Sequence, residues 1–304
     1  MKRGCVIGYD INEKGCQISY YDDSMEEPDT MMASSNNYLI PLVLGYFKDR
    51  WVFGKEAKRL AVVGEDCTET DLYGKAKRRE KVSLAGKTYD AVWLLAKYIS
   101  LTLQDFENIQ YLTFTTPETD VDMAKMLKGI GQHIGVDKEI INVQDYKESF
   151  CQYMIFQPKE LWQYESALFY CDEDRIKAYM LRRLRVDASH GMNSFVTVDE
   201  VANAQRKELE ALYPIMNKEK SPDESFKSMI ENVFEKKVIS SVYLTGEGFE
   251  KNWYPNSLRV LCNGRRAFMG NNLYSKGACY KSIRKCEPND DGPIYLDETK
   301  LTER

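Results

Sequence analysis

The pattern that most constrains this chain occurs twice. Cys5-Val6-Ile7-Gly8-Tyr9-Asp10 is a short apolar run ending in an acid, followed by a turn at Asn12 to Gly15 and a returning run, Gln17 to Asp22. Ala167-Leu168-Phe169-Tyr170-Cys171-Asp172 ends the same way and returns at Ile176 to Leu181. Short apolar runs bounded by turn residues read as buried strands, so each pair reads as a β-hairpin. Asp10 and Asp172 then hold similar places in two halves, with Asp10 at its hairpin tip and Gly15 suited to positive φ. By themselves the residues leave two readings of Asp10 open. It is a turn residue bonding its own backbone, or a carboxylate aimed at a metal–phosphate group. A chain of 304 residues is long enough for two domains, or for one large two-lobed one. The repetition is one of pattern, not of residues.

A second constraint lies late. Val242-Tyr243-Leu244-Thr245-Gly246-Glu247-Gly248-Phe249 is an apolar run stopped by two glycines and an aromatic. It reads as a strand, a tight turn and a helix start. Glycine there accepts unusual backbone angles and lets a ligand approach the main chain, and free N–H groups at a helix start favour an anion. A purely structural strand-to-helix turn fits the same residues.

Between these landmarks the periodicity predicts strands over Tyr38 to Phe47 and Trp51 to Phe53, then a short helix from Gly54 through Val63. It predicts a helix over Ala91 to Leu103, whose Val92, Leu95, Ala96, Ile99 and Leu103 share a face. Strands follow at Tyr111 to Thr115 and Glu139 to Val143, with Pro117 in the first turn of a helix reaching His133. Asp145 to Phe156 reads as a helix carrying Glu148. Later helices are predicted at Val198 to Tyr213, after the Ser221-Pro222-Asp223-Glu224 cap, and at Gly270 to Tyr280. Strands are predicted at Leu258 to Leu261 and Pro293 to Leu296. Strands in alternation with helices argue for a mixed α/β chain.

Composition narrows the function. A 43% hydrophobic share with 12% aromatics can fill sizeable cores, so disorder is not the default. A net charge of -5 gives nucleic acid no obvious hold, and Lys75 to Arg79 and Arg182 to Arg185 read as solvated faces. There are eight cysteines, no Cys-x-x-Cys pair and two histidines, a poor set for zinc. Cys5, Cys151 and Cys171 sit in apolar runs, which suits reduced thiols in a cytoplasmic compartment. A strand begins almost at once after Met1-Lys2-Arg3, so no signal peptide is expected, and no run approaches a membrane span.

Two strand–acid–hairpin units, a late glycine turn and a closing Gly-Ala helix resemble the actin-like ATPase superfamily. That group takes in actin, heat-shock chaperone ATPases, bacterial actin homologues and sugar kinases. The chain looks most like the chaperone and bacterial-actin branch, over nearly its whole length. Ile7-Gly8-Tyr9-Asp10-Ile11-Asn12 is similar to the first phosphate motif, with Asp10 on the acid that holds magnesium through water. Tyr38 to Ala57, with its Phe53-Gly54-Lys55-Glu56-Ala57, is similar to the chaperone-like strands before a short helix, and Phe114-Thr115-Thr116-Pro117 to the strand before the connecting helices. Asp145 to Tyr153 and Gly270 to Tyr280 are similar to the two connect helices. Ser166 to Asp172 is similar to the second phosphate motif, and Leu244 to Phe249 to the adenosine motif.

The resemblance implies a two-lobed actin-like fold, each lobe a mixed five-stranded ribonuclease-H-like sheet flanked by helices. It implies a first lobe over 1–157 and a second over 158–304, with a helical insertion near 191–237. It implies ATP or ADP with magnesium, Asp10 and Asp172 around the metal, and Glu148 or Asp145 positioning a water or a substrate hydroxyl. Asn12, Lys14, Gly246, Glu247, Gly248 and Phe249 would contact the nucleotide.

The departures bear on function. Where the family has glycine and two small hydroxyl residues, Asn12, Glu13 and Lys14 stand here; where it has glycines after the second acid, Glu173, Asp174 and Arg175 stand. A phosphate cradle needs close backbone N–H groups, and side chains block that approach. Extra carboxylates also repel a triphosphate, by about 4 kcal/mol per contact at about 4 Å in an effective dielectric near 20. The expectation is a chaperone-like or actin-like pseudo-ATPase, with a weakly held nucleotide or none. It would act as a conformational or scaffolding module for a protein partner or through self-association. The alternative is an active magnesium-ATP-dependent ATPase or small-molecule kinase of the same fold.

Overall fold

The structure is a computed structural model that describes residues 4–34, 37–64, 67–184, 194–205, 221–287 and 292–297. In chain order the first part runs β1 (Cys5–Ile11), β2 (Gly15–Tyr21), β3 (Asp29–Thr30), β4 (Ile40–Pro41), β5 (Leu44–Phe47), β6 (Arg50–Phe53), α1 (Gly54–Val63), β7 (Thr68–Glu69), α2 (Leu72–Lys77), β8 (Lys81–Leu84), β9 (Lys87–Asp90), α3 (Ala91–Thr102), β10 (Ile109–Thr116), α4 (Val121–His133), β11 (Ile141–Asp145) and α5 (Tyr146–Ile155). It continues with β12 (Glu165–Cys171), β13 (Arg175–Leu184), β14 (Phe195–Gln205), α6 (Pro222–Phe234), β15 (Ile239–Thr245), α7 (Pro255–Leu261), β16 (Arg266–Met269), α8 (Leu273–Cys286) and β17 (Ile294–Tyr295). The chain is a mixed α/β protein, as its alternating patterns predict. No described helix is long and apolar enough to cross a membrane.

Two compact units divide the chain: residues 1–149 with 274–290, and residues 150–273 with 291–304. The division falls within α5 and after the first residue of α8, where the sequence reading puts a single boundary at 157.

The first unit is built on a sheet of order β11-β10-β1-β2-β3, with β4 also on β2. β1, β10 and β11 run parallel, while β2 is antiparallel to β1 and to β3. Alternation along the strands gives the sheet two unlike faces. Ile7, Tyr9, Ile11, Cys16, Ile18, Leu112 and Phe114 enter a core with Leu94, Leu95 and Ile99 of α3 and Met126, Leu127 and Ile130 of α4. Asp90 starts α3 by accepting from the N–H groups of Val92 and Trp93, and Asp120 starts α4 by accepting from that of Met123. The alternate positions are Gly8, Asp10, Gln17, Ser19, Thr113 and Thr115, small or polar, and all but Gly8 rank among the buried polar residues.

Helix α8 lies on that second face. A side chain at Gly8 would overlap the main chain of Ser275 and Cys279, so only glycine lets the helix come so close. The Ser282 hydroxyl lies 3.0 Å from the Ile7 carbonyl and 2.8 Å from Thr113 Oγ1, and the Ser19 and Ser275 hydroxyls are 2.8 Å apart.

The second unit repeats the plan, with the order β16-β15-β12-β13-β14-β17. β12, β15 and β16 run parallel, and β13 is antiparallel to both β12 and β14. Ala167, Phe169, Cys171, Ile176, Ala178, Met180, Val242 and Leu244 pack with Phe226, Ile230 and Val233 of α6. Ser221 caps α6 by accepting from the Glu224 N–H at 3.1 Å, and Pro222 sits in the first turn, as the sequence predicts.

Several expectations are corrected. Val198 begins no helix: β14 runs through it, pairing with β13 from Leu184↔Phe195 to Arg175↔Gln205. The β-branched Val196 and Val198 are buried, and pairing along that whole ladder outweighs the helical periodicity downstream. The expected helical insertion near 191–237 is therefore partly strand, and residues 206–220 lie outside the described residues. Leu258 to Leu261 lies in α7, which Pro255 opens, and the strand comes later, at β16. Pro117 lies ahead of α4, which Asp120 caps. Gly15 has no positive φ; its lack of a side chain instead makes room for the Ile40 carbonyl and the Leu39 side chain. The first basic cluster is largely solvated, with Lys75 paired to Glu69 and Arg78 to Asp71 and Glu80. In the second, Arg182 pairs with Glu165 and Asp199, Arg183 lies over the Trp162 ring, and Arg185 is outside the described residues.

Candidate functional site

In open α/β sheets, ligand sites gather at the carboxyl ends of parallel strands. In the first unit those ends bring together Asp10, Thr115, Thr116, Gln144 and Asp145. Gln17 of β2 pairs with Asp10, Asp10 with Thr115, and Thr115 with Gln144. Side chains in register on neighbouring strands share a face, so Gln17, Asp10, Thr115 and Gln144 form one polar row across four strands.

Asp10 is only 4% exposed. Burial pushes its carboxyl up to about 7, against the pull of a hydrogen bond that Tyr146 Oη donates to Oδ1 at 2.8 Å. Asn12 Nδ2 donates in turn to Tyr146 Oη at 3.0 Å. The Tyr146 ring stacks on Tyr274 with centroids 3.7 Å apart. Ser149 ties down the far end of the row: its hydroxyl is 2.6 Å from Thr115 Oγ1 and accepts from Gln144 Nε2 at 2.7 Å. Two buried acceptors in the row, Gln17 Oε1 and Gln144 Oε1, have no hydrogen-bond partner among the described residues. Buried acceptors are rarely left so, and both suit a donor such as a bound water.

The surroundings are acidic. Burial first, then the negative charges of Glu13, Asp10, Asp120 and Glu118, pushes the Tyr73 phenol well above its usual range. Glu148, the expected positioning carboxylate, is engaged: Lys281 Nζ donates to Oε1 at 2.8 Å, with both side chains mostly buried.

Both hairpin turns close on themselves. Asn12 Oδ1 accepts from the N–H groups of Lys14 at 2.9 Å and Gly15 at 3.3 Å. Asp172 Oδ1 accepts from those of Asp174 and Arg175, both at 2.8 Å. The Asn12 N–H donates to the Gly15 carbonyl and the Asp172 N–H to that of Arg175, each at 3.0 Å. The last strand pairs before the turns are Ile11↔Cys16 and Cys171↔Ile176. Asp172 therefore matches Asn12, and the counterpart of Asp10 is Tyr170. The sequence reading aligns the two acids because each ends an apolar run. Pairing shows Asp10 inside its strand rather than at the tip, and Asp172 as a turn residue bonding its own backbone.

In the second unit, Gly246 takes φ +97°. A side chain there would overlap the Cys171 carbonyl, and one at Gly248 would overlap Cys171 Sγ. The glycines let this turn cross the end of β12, which is sufficient reason for both. The Gly246 N–H donates to Asn271 Oδ1 at 3.1 Å, and the segment Glu247–Phe249 is a single 3₁₀ turn. The Phe249 ring is buried against Phe226, Trp253 and Tyr254, so it is core and not a face for a base. No group of three or more metal-ligating side chains occurs among the described residues.

Sequence reasoning misses Gln17, Thr115, Gln144, Tyr146 and Tyr274. Polar residues alternating with apolar ones in a strand ordinarily face water. The signal that these do not is the spacing of the small residues Ser275, Ala278 and Ser282, a helix face able to press on a sheet.

Residues 27–298 match the model described as family of unknown function (DUF5716) C-terminal, and the chain belongs to that family. No curated protein matches it.

Proposed function

We propose that this DUF5716 family member is a pseudo-ATPase of two-lobed actin-like architecture. It holds nucleotide weakly or not at all and serves as a conformational or scaffolding module for a protein partner or a second copy of itself, in the cytoplasm. Two sheets of like order and pairing sense support the architecture, each reading as a ribonuclease-H-like lobe.

The observation that carries the loss of catalysis is the closure of both hairpin turns. Lys14, Gly15, Asp174 and Arg175 spend their N–H groups on Asn12 and Asp172, so neither turn has a cradle to offer phosphates. Phosphoryl transfer rests almost wholly on such positioning and on charge neutralisation, and the carboxylates near Tyr73 oppose the latter. Phosphates therefore do not suit these residues. A hydrated magnesium ion does: Asp10, Gln17 Oε1 and Gln144 Oε1 are acceptors for metal-bound water.

That polar row favours a second reading, an active magnesium-ATP-dependent ATPase or small-molecule kinase with Asp10 at the metal. Calorimetric titration with ATP and ADP, with and without magnesium, separates the two. The pseudo-ATPase gives weak heat or none, with no gain from magnesium. Magnesium-dependent binding that Asp10→Ala weakens would replace it with the second reading.

A further inference from the structure

We propose that the second unit carries a separate site for a small phosphate-bearing molecule, in the cavity beside Arg265. The cavity has a volume of about 390 Å³ and is lined by Glu160, Leu161, Ser240, Gly264, Arg265 and Arg266. It is unrelated to the nucleotide reading and does not depend on it.

Arg265 follows Gly264, whose φ of +72° turns the chain from α7 into β16. Its guanidinium lies over the Phe234 ring, 4.6 Å from the centroid. Nη1 is buried and has no hydrogen-bond partner among the described residues. A guanidinium keeps its charge in proteins, so burial leaves a cation with unspent donors. The ring face offsets part of that charge, but it does not accept as an oxygen does. Arg265 also lines the cavity, and an oxyanion there would supply the counter-charge.

Two further donors line the space. Ser240 Oγ accepts from the Tyr164 N–H at 2.8 Å, which leaves the hydroxyl hydrogen to donate. Arg266 Nη1 is 3.9 Å from Glu160 Oε1, with the two side chains 65% and 61% exposed. So long and exposed a pair is weak, and Arg266 can turn to a ligand at little cost. Two guanidiniums and a hydroxyl suit a phosphate, and the volume leaves room for an organic body against Leu161.

Titration calorimetry of the full chain with inorganic phosphate and with phenyl phosphate tests the site. Saturable binding with a Kd of about 0.1–1 mM is expected. It should weaken about tenfold in Arg265→Gln, where the fork is lost, and about threefold in Arg266→Gln. Arg266 is exposed enough for its variant to fold if the Arg265 variant does not. Tighter binding of phenyl phosphate supports an organic monoester as ligand, and equal binding supports free phosphate. No saturable heat from either up to about 10 mM, or affinities unchanged in both variants, would overturn the proposal.

Discussion

The two sheets share strand order and pairing sense yet differ on one face. In the first unit the row Ser19–Gly8–Thr113–Asn142 is small or polar. The matching row of the second unit is Tyr179–Leu168–Tyr243–Phe268, with Tyr243 and Phe268 stacked at 5.0 Å. One row further along, Gln17, Asp10 and Thr115 are matched by Lys177, Tyr170 and Thr245. The small row lets α8 press on the sheet and keeps Asp10 among buried polar groups; in the aromatic row, Tyr243 instead meets the rings of Phe150 and Tyr153 from α5. The repeat therefore carries the architecture twice and the polar chemistry once.

Installing the second unit's residue in the first is the harshest test of that contrast. Gly8→Leu forces a side chain into the α8 main chain and should cost more than about 4 kcal/mol or prevent folding, read by urea denaturation. In the second unit, Leu168→Ala, at a fully buried position, should cost about 3 kcal/mol. Equal, small effects would mean that the two faces are not distinct.

Asp10→Asn keeps an acceptor for Tyr146 and removes the charge. Burial raises the native carboxyl to about 7 from 3.8, so the folded chain holds a proton that the unfolded chain has released. Wild-type stability from this group is therefore intact below about pH 4 and declines as pH rises toward about 7. At pH 8 the asparagine variant should be the more stable, by up to about 4 kcal/mol, with the difference gone at pH 4. Melts across that range that leave the gap unchanged would place Asp10 in a wetter setting.

The smallest effect concerns the turns, where the two units agree. Asn12→Ala and Asp172→Ala each remove an acceptor for two main-chain N–H groups, and each should cost about 1 kcal/mol. Asn12→Ala also frees Tyr146 from one donor, so it should raise the Asp10 pKa slightly where Asp172→Ala does not.

Much of the architecture is legible in the sequence because local signals agree with the fold. The paired runs at Cys5 and Ala167, the Ser221-Pro222 cap and the α1 helix from Gly54 to Val63 each carry their own start and stop. The site is less legible. Asp10 stands out, but Gln17 and Gln144 become site residues only through strand register and the cover of α8, neither of which is written locally. Asp172 shows the opposite error: an acid ending an apolar run marks the tip of a hairpin there and an interior strand position at Asp10. The misread helix at Val198 has a like cause, since pairing with β13 is a long-range choice.

The most direct test is steady-state phosphate release from magnesium-ATP by the full chain beside its Asp10→Ala and Asp172→Ala variants. Two closed turns predict one background rate for all three. Release by the wild type that both variants abolish would contradict the account and return the chain to the active ATPases.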